Sequence, residues 1–347
     1  MSHFQLRLPD KENANSKEIA ALEKILKMQL PIAHISSWQS KQISKIFDLV
    51  ERSKSLQSIS LKLHDYPQDY FDMDPLGEFP DLQEFKLQIY CSDEDDDESP
   101  HVHFYYSAIE QIRSMTNLRS LTLDFDGDRG DVQSEVSYVL ANLSELKYLK
   151  LCFGGLLEDE GTFIQVNRSW LGKLFQEIGK KKKLKELAFE ITTFDFPDST
   201  KIFKILCQSL GKLTKLVSLH LRIEFADSIK DQHVSTLIPY LNKLKKLESL
   251  SLHIGESQYK SSTFILLLNS IMEAFPFLSD LNLEIHDFDV TKQCYQLIYK
   301  AIHQMKSLNR MDILIGGKLA KRLNISLLDA EVRKRMEGSV YCYPFKH

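Results

Sequence analysis

Apolar residues recur along the chain in one frame, at offsets 0, 3, 5 and 7. The first clear copy is Leu56-Gln-Ser-Ile-Ser-Leu-Lys-Leu63. The frame returns from Leu82, Leu118, Leu146, Leu184, Leu216, Leu247, Leu278 and Leu308, in steps of 26, 36, 28, 38, 32, 31, 31 and 30 residues. Nine copies in one register are not a product of chance. Offsets 3, 5 and 7 alternate with mostly polar residues, and that period of two describes a strand with one buried face. A weaker copy precedes these at Ile25, Met28, Leu30 and Ile32, and Phe4, Leu6 and Leu8 make a degenerate opening strand.

Between the strands the period lengthens. Ile43, Ile46, Phe47 and Val50 are spaced for one face of a helix, as are Val234, Leu237, Ile238 and Leu241, and Phe264, Leu267, Leu268 and Ile271. Each unit therefore reads strand, loop, helix, loop. Successive strands joined by a helix run parallel. One unit cannot bury its own apolar face, whereas stacked neighbours can. The chain is expected to be α/β: a curved solenoid, or horseshoe, with a parallel concave sheet and convex helices. No break in composition marks a second domain, so 1–347 reads as one domain. Residues 1–24 form an N-terminal cap, about 25–316 the repeats, and 317–347 a capping helix and tail. The predicted helix over 318–336 carries Leu319, Leu323, Leu327 and Val332.

The frame Leu-x-x-Leu-x-Leu resembles the leucine-rich repeat, and the long helical units resemble its ribonuclease-inhibitor-like class. The departure is at offset 8, where the family usually places Asn. Here that position reads His64, Tyr90, Asp126, Gly154, Thr192, Glu224, Gly255, His286 and Gly316, so the asparagine ladder is missing. The resemblance implies a non-catalytic scaffold that binds another protein through its concave face. A substrate-recognition subunit of a ubiquitin ligase and a GTPase-activating protein on the same scaffold stay open as alternatives. The expected quaternary state is a monomer or a subunit of a larger assembly.

Charge and composition narrow the partner. Over 347 residues there are 44 Lys and Arg against 48 Asp and Glu, a net charge of −4. Of the outward strand positions, five are basic and nine acidic, and such a face repels a phosphate backbone. Tyr90 and Tyr148 are its only aromatics, too few for a base-stacking platform. No nucleic acid is therefore expected, and no membrane partner, since the longest apolar run, Phe264-Ile-Leu-Leu-Leu268, is far short of a span. The first residues lack an apolar signal core. The five cysteines have no CxxC spacing, which disfavours a zinc site or disulfide framework. A cytoplasmic protein is the expectation, and the sequons at Asn142, Asn167 and Asn324 read as coincidental.

Candidate chemistry is sparse. The segment 124–135 puts Asp124, Asp126, Asp128 and Glu135 at positions 1, 3, 5 and 12 of a calcium-type loop. Arg129 stands where such a loop turns on glycine. The acidic run Asp93–Glu98 reads as a solvated insertion or a dock for a basic partner. Gly179-Lys-Lys-Lys-Lys183 follows the helix 170–178 and complements its C-terminal dipole. No phosphate-loop, nucleotide-binding or hydrolase motif occurs, so no catalytic residue and no cofactor are assigned. The concave residues best suited to gripping a partner are Tyr148, Glu190, His220, Arg222, His253 and Glu284. They mix aromatic, cationic and anionic groups on late repeats, and Tyr and Arg are common interface anchors.

Overall fold

The computed structural model describes residues 4–7, 24, 32–37, 57–64, 79, 81–90, 101–126, 131–156, 169–193, 199–225, 230–254, 259–285, 291–316 and 325–343. The chain forms two compact units, Met1–Glu177 and Ile178–His347. Strand and helix alternate in both.

In the first unit the strands are β1 (Phe4–Arg7), β2 (Ile32–Ser37), β3 (Ser58–His64), β4 (Glu84–Tyr90), β5 (Ser120–Asp126) and β6 (Tyr148–Leu156). Helices α1 (His101–Ser114) and α2 (Asp131–Asn142) lie between the later strands, and α3 (Ser169–Lys180) runs across the division between units. The second unit continues with β7 (Glu186–Thr193), α4 (Ser199–Leu210), β8 (Ser218–Phe225), α5 (Asp231–Leu241), β9 (Ser249–Ile254), α6 (Ser261–Ala274), β10 (Asp280–Ile285), α7 (Lys292–Gln304), β11 (Arg310–Gly316), α8 (Ile325–Arg335) and β12 (Glu337–Tyr343). Within each unit the strands pair in chain order, all parallel. This is the expected α/β repeat fold with a parallel sheet.

The strand order never reverses within a unit. Parallel crossovers are right-handed, so an order that never reverses puts every helix of a unit on the same side of its sheet. The other side is left bare. The inward face carries aligned rows of apolar residues. In the second unit Leu187, Leu219, Leu250, Leu281 and Met311 align strand to strand, and Phe189, Leu221, Leu252, Leu283 and Ile313 form the next row. None is more than 2 % exposed. In the first unit Phe153 stacks on Phe125, with ring centroids 6.1 Å apart, and meets Trp170 edge-on at 5.5 Å.

Two expectations need adjustment. The weak first repeat was placed on Ile25, Met28, Leu30 and Ile32. The strand of that region is β2, whose Ile35 pairs with Ile59. Ile35 therefore takes the offset-3 position, and the repeat begins seven residues later than the apolar pattern suggested. At the other end, the capping segment is a helix followed by a further strand. β12 pairs with β11 in register from Arg310↔Glu337 to Gly316↔Tyr343. Gly338 makes this pairing possible. Its φ is +127°, and a Cβ there would run into the Met311 carbonyl oxygen, so only glycine fits. The predicted helix at Ile43–Val50 lies outside the described residues.

Candidate functional site

The bare face of the second unit is built from alternate strand residues, and register decides which of them meet. One row across the sheet reads Glu190, Arg222, His253, Glu284 and Leu314. The row beside it reads Ala188, His220, Ser251, Asn282 and Asp312, and the third reads Glu186, Ser218, Ser249, Asp280, Arg310 and Glu337. Five of the six residues singled out from sequence, Glu190, His220, Arg222, His253 and Glu284, thus fall on two adjacent rows of one surface. The sixth, Tyr148, opens β6 in the first unit, pairs with Ser120 and is 39 % exposed.

Four of the five residues meet in two pairs. His253 Nδ1 lies 2.5 Å from a Glu284 carboxylate oxygen directly across the strand pair. His220 Nε2 lies 3.5 Å from Glu190 across β7 and β8. The His253 side chain is 8 % exposed and Glu284 29 %, whereas His220 is 36 % exposed. One pair is therefore embedded in the surface and the other stands on it. Arg222, flanked in register by Glu190 and His253, is exposed. Further along, Arg310 Nε donates to Asp312 at 2.8 Å, which holds the guanidinium above its usual range, and Asn282 donates to the Ser251 hydroxyl at 3.2 Å. Six carboxylates stand against two arginines on these three rows.

The two His–Glu pairs are separate, and among the described residues no three His, Cys, Asp or Glu side chains converge as metal ligands. In the calcium-type segment, Asp124 is buried at 8 % exposure and accepts a hydrogen bond from Gln88 Nε2 at 2.8 Å. Residues 127–130 lie outside the described residues, as do Asp93–Glu98 and His286.

A second set of polar contacts escaped the sequence reading. The third residue of three successive helices reaches back to the first turn of the helix before. His233 Nε2 meets the Thr200 hydroxyl at 3.1 Å, the Thr263 hydroxyl donates to Asp231, and Cys294 Sγ approaches the Ser261 carbonyl at 3.9 Å. Asp231 also accepts the Lys260 backbone N–H at 3.0 Å. These contacts tie successive repeats of the unit together at the helix N-termini. The signal was a polar residue at the third helical position of each unit, hidden because its identity changes from His to Thr to Cys.

No family model matches the sequence, and no curated protein is significantly similar to it.

Proposed function

We propose that the chain is a non-catalytic scaffold that binds a partner protein on the bare sheet face of Ile178–His347. One observation supports this reading. A polar, largely acidic surface with exposed Arg222 and half-exposed His220 is carried on strands locked in register, with no described helix of the unit packed over it. Such a surface needs little ordering on binding, which lowers the entropic cost of association. Six carboxylates against two arginines favour a partner with a basic face and disfavour a nucleic acid there. Tyr148 offers a separate anchor on the first unit.

The test is a pull-down with the full chain, followed by affinity measurement against the recovered partner. Replacing His220 and Arg222 together by Ala is expected to weaken binding at least tenfold, as truncation of anchor residues does. Tyr148→Ala, measured separately, reports whether the first unit contributes. Undiminished affinity of the His220/Arg222 double variant, with an unchanged melting curve, defeats the proposal.

A further inference from the structure

The helix-to-strand turns of Ile178–His347 carry charge opposite in sign to the sheet face. Residues 180–185, 212–215 and 243–246 lead into β7, β8 and β9. They hold ten lysines and no Asp or Glu. Lys181 is buried and the other nine lysines are exposed. Glu186 and Glu248 lie just outside them.

These turns are copies of one another. Leu184, Leu216, Leu247 and Leu278 each donate a backbone N–H three residues back, at 2.9–3.2 Å. Each strand start is bonded to the one before: Val217 N–H to the Lys185 carbonyl at 2.7 Å, Glu248 to Val217 at 2.8 Å, and Ser279 to Glu248 at 2.7 Å. Lys183, Lys215 and Lys246 therefore occupy one position in successive turns, on strands about 5 Å apart. In the next turn that position is Phe277, which at 68 % is the most exposed large apolar side chain among the described residues.

Local structure does not demand this composition. The first unit makes the same turn, with Leu118 N–H on the Met115 carbonyl, using Thr116 and Asn117. Lys182 Nζ donates to the carbonyls of Gly179 and Lys212, both at 3.1 Å, and Lys243 lies 4.8 Å from the Tyr240 ring centre. Neither contact neutralises the ammonium charge.

We infer that this edge seats the protein on an anionic lipid bilayer. Lysines act as point charges on a diffuse negative potential, and the absence of arginine from these turns fits a field rather than bidentate phosphate recognition. A single exposed aromatic, level with the lysines, suits the headgroup boundary. A single-stranded nucleic acid would call for a run of stacking rings, whereas the aligned turn position carries a single ring, Phe277. The net charge of −4 averages an acidic face with this basic edge. The inference is independent of the sheet-face proposal, since the two surfaces share no residue.

The full-length protein is sedimented with vesicles of phosphatidylcholine containing about one-third phosphatidylserine, and with pure phosphatidylcholine vesicles, across a salt series. Binding is expected only to the anionic vesicles, falling steeply with salt. Each lysine near the surface strengthens attachment about fivefold, so changing Lys183, Lys215 and Lys246 together to Gln should lower partitioning about a hundredfold. The same change at Lys201, Lys204 and Lys300, exposed on helices, should leave it nearly unaltered. Phe277→Trp should show blue-shifted emission on adding anionic vesicles. Binding that ignores lipid charge, absence of binding, or a turn variant that binds like the parent overturns the inference. So does lysine-dependent binding of oligouridylate without vesicle binding. Should the triple variant melt early, the lipid and salt comparisons on the unaltered protein still decide.

Discussion

Leu250 is 1 % exposed and flanked in register by Leu219 and Leu281. Truncating it leaves a void bounded on both sides by fixed strands, so little collapse can relieve the loss. Leu250→Ala is expected to cost about 2–5 kcal/mol in a denaturant titration, and a cost below about 1 kcal/mol would contradict its place in the inward row. His233 makes a different residue-scale argument. It is 2 % exposed, lies edge-on to Phe203, and its Nδ1 accepts the Lys230 N–H at 2.9 Å. Burial lowers its pKa below 6.5, and a ring nitrogen that accepts a hydrogen bond favours the neutral form. Below pH 6.5 the unfolded chain takes up a proton that the folded chain declines. His233 stability is thus fully present above that pH and is lost as the pH falls towards the lower folded value. His233→Asn keeps an acceptor but cannot titrate, so urea titrations between about pH 7 and 5 should show a shallower loss in the variant. Cys207, fully buried, has its thiol pushed up to about 12 by desolvation. It should resist alkylation until the protein unfolds.

At the scale of elements, what joins one repeat to the next is worth as much as the repeat itself. Asp231 opens α5 but serves α6, accepting the Lys260 N–H and the Thr263 hydroxyl. Asp231→Ala removes a helix-terminal acceptor and is expected to cost about 1–2 kcal/mol in thermal or chemical unfolding. The C-terminal elements close the second unit. Val332 of α8 is buried, and Arg335 donates to the Ile302 carbonyl of α7 at 3.0 Å. β12 covers the edge of β11. Truncation after Gly317 would expose both the apolar flank and a row of unpaired strand groups. Light scattering should report aggregation, and a monodisperse truncated protein of equal stability would show that neither element is needed. Gly338→Ala is a milder probe of the same strand, since the new methyl cannot sit beside the Met311 carbonyl.

For the whole molecule, a near-neutral total conceals segregation. The bare face of Ile178–His347 is acidic and its helix-to-strand edge is basic. Cohesion comes from rows of Leu, Ile and Phe. Among the described residues Cys152, Cys207 and Cys294 form no disulfide and no metal-ligand cluster occurs. A chelator or a reductant is therefore expected to leave the unfolding midpoint in place, as differential scanning calorimetry would verify.

The strands, their parallel pairing and their buried faces were readable from residue order, because a period of two with a leucine every third, fifth and seventh place leaves few ways to hide apolar surface. Glu190, His220, Arg222, His253 and Glu284 could be assigned to one face by the same alternation. That His253 meets Glu284 while His220 meets Glu190 depended on register across strands about thirty residues apart, which no local pattern encodes. β2 was misplaced because Ile25 to Ile32 imitates the frame, and only pairing with β3 distinguishes it from Ile32–Ser37. β12 was invisible for a related reason: Gly338 takes the place of an inward apolar residue, and its role comes from the Met311 carbonyl it must pass. The lysine turns were legible as composition, but their alignment into one edge with Phe277 emerged only when the repeats stacked, since stacking turns a spacing along the chain into a distance in space.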